Sequence, residues 1–442
     1  MEKVKEMIGK KITRRQFTKT LAIGGAGLAA SGMGISNVFG AKETEIVSWC
    51  ATGGRWEIPT RAVKPDFEKM YKDIKVKIIA TPIGEHTTKA AVALSANTSS
   101  YDTIFIDYAI LASFIKGGFI ECINPYLDED PAFRDDILKD IPANVLATYS
   151  DPATGKLYGL PPDSNTQMTY YRGDVFDKKG IKVPTTWADA IAAAKELTGG
   201  GQFGFTCSLR RGIYTTMGYT PILYSCGGEI FDKYEKGYYH PTLFNDAGIK
   251  AAQILKEFIK YAAPGTLNAV DDETNEHLIR GTGVYGPMQW GASVFTDPKY
   301  CKFAKDFRAA VVPTMPGHKP VPTMGGLGFI IPKNAKHKKE VWNWIKFCNS
   351  REIQEKWVKN TGQPSRLSTL KKYTNLQPYF SALMESIPIA RRMTPLPEFA
   401  AIYTTIGTEL ASALVGEKPI EDALKAADKA VDDIIIKGGY RG

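Results

Sequence analysis

The side chains able to do covalent or metal chemistry do not fall in patterns that use it. The five histidines, His86, His240, His277, His318 and His337, are scattered and form no ligand-like pair. Cys50, Cys122, Cys207, Cys226, Cys301 and Cys348 show no Cys-x-x-Cys spacing and no histidine at zinc spacing. No Walker loop, His-Glu-x-x-His or Gly-x-Ser-x-Gly signature occurs. Two spans fit Gly-x-Gly-x-x-Gly: Gly199/Gly201/Gly204 and Gly281/Gly283/Gly286. Both run from a helical pattern into a strand pattern, the reverse of what a dinucleotide phosphate needs, so they read as glycines at helix ends. Asp271-Asp272-Glu273 opens a polar helical stretch and reads as surface charge. The sequence therefore predicts no catalytic residue, metal ligand or cofactor site.

Aromatic residues beside polar ones point elsewhere. Trp49, Tyr108, Tyr170, Tyr171, Trp290 and Tyr403 fall at strand ends or near Gly and Pro, where a ring can face a cleft. Flat rings flanked by Asp, Asn, Gln and Arg suit polyhydroxylated ligands, whose C–H faces stack while their hydroxyls need polar partners. Adjacent Tyr170 and Tyr171 admit a second reading as phenolate ligands to ferric iron. Successive strand residues face opposite sides, however, which makes a neighbouring pair a poor chelate.

Alternating strands and helices must position these groups. Ile46–Trp49 opens as a strand, a helical stretch follows around Pro65–Tyr71, and Ile74/Val76/Ile78 alternate at period two. Asp102–Asp107 reads as a buried strand closed by a carboxylate. Thr186 and Asp189 form a capping box for a helix whose inner face is Trp187, Ala190, Ile191 and Ala194. Ala251, Leu255, Phe258 and Ala262 line another. Val341, Trp344, Ile345 and Cys348 share a third face, where Cys348 reads as a buried free thiol. Ile420, Ala423, Leu424, Ala427, Val431 and Ile434 mark a final amphipathic helix with Pro419 at its start. This alternation predicts parallel α/β sheets. At 442 residues the chain suits two domains. No low-complexity linker divides the body, so the domains are expected to be lobes joined by several short crossings.

The first 40 residues have a basic start, an apolar, Gly-rich middle from Leu21 to Ala30 and a small-residue exit at Val38-Phe39-Gly40-Ala41. That order is a secretory signal. Thr13-Arg14-Arg15-Gln16-Phe17-Thr18-Lys19 closely resembles the twin-arginine export motif, with cleavage expected after Gly40. No cysteine stands at the exit to accept a lipid, so a soluble periplasmic protein is expected. Export permits disulfides, and Cys207 with Cys226 is the first pair to examine. Residues 1–41 hold seven basic and two acidic residues of a chain whose net charge is +9, so the body carries +4. Without a basic run interleaved with aromatics, that charge predicts no nucleic-acid partner. No run of 18 apolar residues reads as a membrane span.

From about Glu45 onward the chain resembles the family 1 extracellular solute-binding proteins. The resemblance is carried by Tyr101-Asp102 through Asp107, Phe114, Gly117-Gly118-Phe119, Asn124–Leu127 and Lys156–Pro161. It continues through Tyr171-Arg172, Asp174–Phe176, Gly180-Ile181, Pro184, Thr186-Trp187, Cys226–Phe231, Gly286–Trp290, Gly325–Pro332 and Thr361–Arg366, all in family order. It implies a two-lobed α/β fold of the class II periplasmic-binding type, closing on a cleft by a hinge. The lobes are expected at 41–160 plus 318–364 and at 161–317 plus 365–442. It further implies the solute-capturing subunit of an ABC importer: a monomer with a sugar ligand and membrane permease partners, and not an enzyme. Asp107 and Asn165 are the implied hydrogen-bonding positions, and Trp290, Tyr403 and Tyr214 the implied stacking rings. Trp49, Tyr108, Gly326 and Arg366 complete the candidate site. Met288 and Thr404 stand where the family has aromatics, which counts against maltose itself. A ferric, polyamine or other polar solute and an exported redox enzyme are the rival readings.

Overall fold

A computed structural model describes residues 43–232, 239–290 and 294–441. The proposed export signal lies outside the described residues. Ten strands occur among them: β1 (Thr44–Ala51), β2 (Ile74–Thr81), β3 (Thr103–Asp107), β4 (Asn165–Arg172), β5 (Phe231–Asp232), β6 (His240–Pro241), β7 (Tyr285–Trp290), β8 (Phe307–Ala310), β9 (Met324–Gly325) and β10 (Leu327–Ile330). They form two main sheets and a β5–β6 pair.

The first sheet has the order β10-β3-β1-β2. β1 runs parallel to β2 and β3, whereas β10 is antiparallel to β3. Ile104, Phe105 and Ile106 of central β3 are all buried, as a strand covered on both faces requires. Edge strand β2 buries Ile74 and Val76 but leaves Lys77 exposed. Phe105 stacks on Phe329 at 4.4 Å, and Phe67 of helix Glu57–Met70 meets Trp344 edge-on at 5.0 Å. That helix begins two turns before the stretch expected from sequence and carries Pro65 inside it. Burial of Pro59, Thr60, Val63 and Phe67 along one face outweighs the broken hydrogen bond.

The second sheet has the order β7-β4-β8, all antiparallel, and β9 also pairs with β4. All eight residues of central β4 are buried. The Thr186 hydroxyl accepts the Asp189 N–H at 3.1 Å, as the capping signal predicts, and starts helix Trp187–Leu197. The last helix, Ile420–Lys437, buries Ala423, Leu424, Ala427 and Val431 as expected, with Ile435 at the end of the stripe rather than Ile434.

Two crossings link the sheets. In one, Leu160 bridges to Phe329 in the first sheet, and five residues later Asn165 opens β4 in the second. Lys156–Pro161 therefore contributes isolated bridges at Leu157 and Leu160 rather than a regular strand. In the other, β9 pairs with β4 and, after Gly326 alone, β10 pairs with β3. The two crossings lie side by side.

Candidate functional site

The crossings are held close by glycine. Gly326 has φ +121°, and a Cβ there would stand 2.9 Å from the Asp163 carbonyl oxygen, so neither the backbone angle nor the space admits a side chain. This approach brings the Leu327 N–H to Asp163 Oδ2 at 3.2 Å. Leu327 is in register with Asp107, the carboxylate that ends β3. Asp107 Oδ1 accepts the Ala109 N–H at 2.9 Å. Burial pushes both carboxyls up to about 6, against the opposing charge of Arg55. Asp107 also raises Asp163, which places the two within electrostatic reach.

The second wall grows from β4. Asn165 and Gln167 point to one side of the strand, and Trp290 of β7 is opposite Gln167 in register, hence on the same face. The Trp290 ring lies over Gly325, where a Cβ would stand 2.7 Å from it; Gly325 is the register partner of Asn165. Gln167 Nε2 donates to the Met217 carbonyl at 3.1 Å, which brings in helix Ile213–Ser225. Tyr214 lies one turn before Met217, and both are half-buried. Arg210 lies over the Tyr214 ring at 5.1 Å. Burial and the Asp271 and Asp107 charges push the Tyr214 phenol well up. Asp271 accepts the Ser208 hydroxyl at 2.5 Å and is raised by burial, so it is not the plain surface charge expected from sequence.

The loop between β1 and helix Glu57–Met70 closes the arrangement. Arg55 Nη1 donates to Gln363 Oε1 at 3.0 Å, and its guanidinium lies 4.4 Å over the Trp56 ring. Trp56 Nε1 donates to Asp163 Oδ2 at 3.4 Å. The Arg55 charge is felt by Asp107, Asp163 and Asp271. Arg55, Trp56, Asp163, Gln167 and Gln363 were missed in the sequence. Gly53-Gly54-Arg55-Trp56 was the one local signal, since paired glycines before an Arg-Trp step mark a turn presenting two recognition side chains.

Asp107, Asn165, Gly326, Trp290 and Tyr214 are thus brought together; four other candidates are not. Trp49 is buried, stacked on Tyr101 at 4.3 Å, with its Nε1 donating to the Thr81 hydroxyl at 2.9 Å. Tyr108 is a structural pin: its hydroxyl donates to the Met324 carbonyl at 2.7 Å and accepts the Met393 N–H at 3.1 Å. Tyr403 is fully buried in helix Phe399–Leu414 against Phe399, 4.4 Å away. Arg366 is fully buried and ion-paired to Asp140 at 3.0 Å and Asp136 at 2.7 Å, so its charge is spent inside the fold. The Cys207–Cys226 disulfide is also absent, because all six cysteines are free thiols. Tyr170 packs on Phe295 and Tyr171 on Phe176, the opposed placement expected of strand neighbours.

Two α/β sheets joined by adjacent crossings, with carboxylates, amides and a tryptophan gathered where they cross, define a two-lobed binding protein. The chain belongs to the bacterial extracellular solute-binding protein family, whose model matches residues 57–355. It is 26% identical to the arabinooligosaccharide-binding protein of Bacillus subtilis, covering 88% of this chain and 89% of that one. It is 23% identical to a Sinorhizobium fredii protein named as an amino-acid ABC transporter periplasmic-binding protein, covering 90% of both. Its fold matches the maltose-bound T. maritima protein MalE3 with a TM-score of 0.78 at 21% identity, over 88% of this chain and all of that one. No helix among the described residues is long and apolar enough to cross a membrane.

Proposed function

We propose that this protein is the periplasmic, carbohydrate-capturing subunit of an ABC importer, and not an enzyme. One observation carries the reading: Asn165, Gln167 and Trp290 share one strand face, next to the crossing that places Asp107 and Asp163. A ring for C–H stacking beside buried amides and carboxylates matches the alternating apolar and hydroxyl character of a sugar. The likeness to the arabinooligosaccharide-binding protein supports the same ligand class. In this reading Asp107, Asp163, Asn165 and Gln167 take hydroxyls, Trp290 and Tyr214 hold the ring faces, and Arg55 anchors the carboxylates. The lobes are taken to run over 41–160 plus 318–364 and over 161–317 plus 365–442, with β9 reaching across that division to β4 and Arg366 reaching across it to Asp136 and Asp140. They act as a monomer that delivers its load to permease subunits after twin-arginine export and removal of residues 1–40.

The test is thermal unfolding of the mature protein with arabinooligosaccharides, maltose, mannitol and the common amino acids. A ligand that binds only the folded state raises the melting temperature with its concentration, by about 2.7 kcal/mol of stability at a hundredfold excess over Kd. A saturable shift with one carbohydrate is expected. The likeness to the amino-acid binding protein favours a second reading, an amino-acid ligand, which a shift with amino acids alone would establish.

A further inference from the structure

Helix Ile213–Ser225 contains Pro221 in its interior. Proline has no backbone N–H, so the carbonyl four residues earlier loses its helical donor. That carbonyl belongs to Met217, and it accepts Gln167 Nε2 at 3.1 Å, with the Thr220 hydroxyl at 3.3 Å as a second donor. A carbonyl only accepts, so the end of the Gln167 amide that faces Met217 must be its nitrogen. The amide is therefore locked in one orientation, with Oε1 turned away from the helix. Gln167 is 1% exposed, and its Oε1 has no hydrogen-bond partner among the described residues. On the same strand face, Asn165 is equally buried and neither end of its amide is partnered. Asp163 repeats the pattern: Oδ2 takes the Leu327 and Trp56 donors, while buried Oδ1 takes none. Buried acceptors left without donors are costly, at about 1–3 kcal/mol each, and a bound solute that donates to them removes that cost.

We infer that Gln167 is a specificity-determining residue whose locked oxygen selects ligands presenting a hydrogen-bond donor beside Trp290, with Pro221 as the residue that positions it. The inference deepens the carbohydrate reading of the cleft, since a hydroxyl is such a donor, but the selection rule is for the donor and not for the sugar. An ether or a deoxy position in that place leaves Oε1 unsatisfied and is rejected. The direction of the amide is set by Pro221, one helical turn on from Met217.

The experiment is calorimetric titration of the mature protein with arabinobiose, maltose, D-mannitol and spermidine, in wild type, Gln167→Met and Pro221→Ala. Gln167→Met keeps length and removes the acceptor. It should weaken the best-bound probe by about tenfold or more, the size of one buried hydrogen bond. Pro221→Ala restores an N–H to the Met217 carbonyl and frees the amide to turn. It should weaken the same probe by a few-fold, with the urea midpoint unchanged or raised, a combination that damage to the helix cannot produce. It also carries the test if Gln167→Met fails to fold. Deoxy and O-methyl forms of the bound probe should lose affinity in wild type and bind Gln167→Met no worse than the parent does. Folded Gln167→Met with wild-type affinity for the best-bound probe overturns the inference, as does Pro221→Ala with unchanged affinity and unchanged discrimination. Binding of spermidine and of no carbohydrate sinks the carbohydrate reading alone, and Gln167 is then judged by its effect on spermidine.

Discussion

Burial of Asp163 comes at a cost to folding. Its carboxyl is pushed up to about 6, chiefly by burial, from an ordinary value of 3.8. The native state therefore holds this proton to higher pH than the unfolded chain does. Below about pH 4 both states are protonated and Asp163 costs nothing; the cost grows from about pH 4 to 6 and is complete above 6. Asp163→Asn removes the charge and keeps an oxygen for the Leu327 N–H. It is expected to raise stability at pH 7.5 by about 1–3 kcal/mol, from a shift of roughly two units at about 1.4 kcal/mol each, and to change little at pH 4. Urea unfolding at the two pH values measures this, while ligand affinity at pH 7.5 should fall. Equal gains at both values would show that burial of the charge is not the cause. At this scale Asp107, Asn165 and Trp290 were reached through the family resemblance, and the fold sets Asp107 at the end of β3, Asn165 at the start of β4 and Trp290 in register with Gln167. Arg55 was illegible because its partners, Gln363 and the three aspartates, meet it only in the fold. Arg366 misled for the same reason: its acids lie on helix Pro131–Asp140, 226 residues away in the case of Asp140.

Periodicity located the elements well and their ends less well. The capped helix Trp187–Leu197, the helix Lys338–Cys348 with Cys348 buried, and the final helix all follow from apolar stripes and caps. Helix Glu57–Met70 extends two turns ahead of the stretch around Pro65–Tyr71, because burial of Pro59, Thr60, Val63 and Phe67 carries it through Pro65. Helix Phe399–Leu414 shows the other failure. Tyr403 is one of many buried residues on it, and nothing local tells a core ring from a cleft ring. The two elements separate by mutation. Tyr403→Ala should cost about 3–5 kcal/mol in urea unfolding, as for other buried aromatics, with affinity of the folded fraction preserved. Trp290→Ala, on the cleft side of β7, should weaken binding by about 1–3 kcal/mol and change stability less. Reversed results would move the cleft toward helix Phe399–Leu414. Arg366 supplies an independent check on the first sheet's surround. It joins helix Pro131–Asp140, through Asp136 and Asp140, to the Asn349 carbonyl at the end of helix Lys338–Cys348. Arg366→Met strands two acids that Arg351 and Ser368 only partly satisfy, and a loss of about 3 kcal/mol is expected. A loss below about 0.5 kcal/mol would mean that the pairs contribute no net stability.

For the whole molecule, collinear motifs foretold two lobes with several crossings, because sequence order survives where individual contacts do not. Cysteine pairing was beyond the same reading, since it depends on which elements approach. Cys207 lies against the Ser208 and Met288 carbonyls, whereas Cys226 caps the far end of helix Ile213–Ser225. The six free thiols bear on how the protein reaches its destination. Cys50, Cys207, Cys301 and Cys348 are buried, and burial pushes Cys50 up to about 12 and the half-buried Cys226 to about 11. Thiols so displaced stay protonated at neutral pH and neither pair nor react readily. A fold without disulfides is complete in a reducing compartment, which is what a twin-arginine route needs, because its cargo crosses already folded. Two outcomes follow. Melting of the purified mature protein should be the same with and without reductant, whereas loss of a structural disulfide would cost about 2–5 kcal/mol. The precursor with Arg14→Lys and Arg15→Lys should stay in the cytoplasm and bind the same ligand there with mature affinity. Export of that precursor at the normal rate in cells lacking the twin-arginine translocase would exclude the route. A retained precursor that is unfolded until oxidised would show that the compartment completes the fold, contrary to a fold whose cysteines are unpaired.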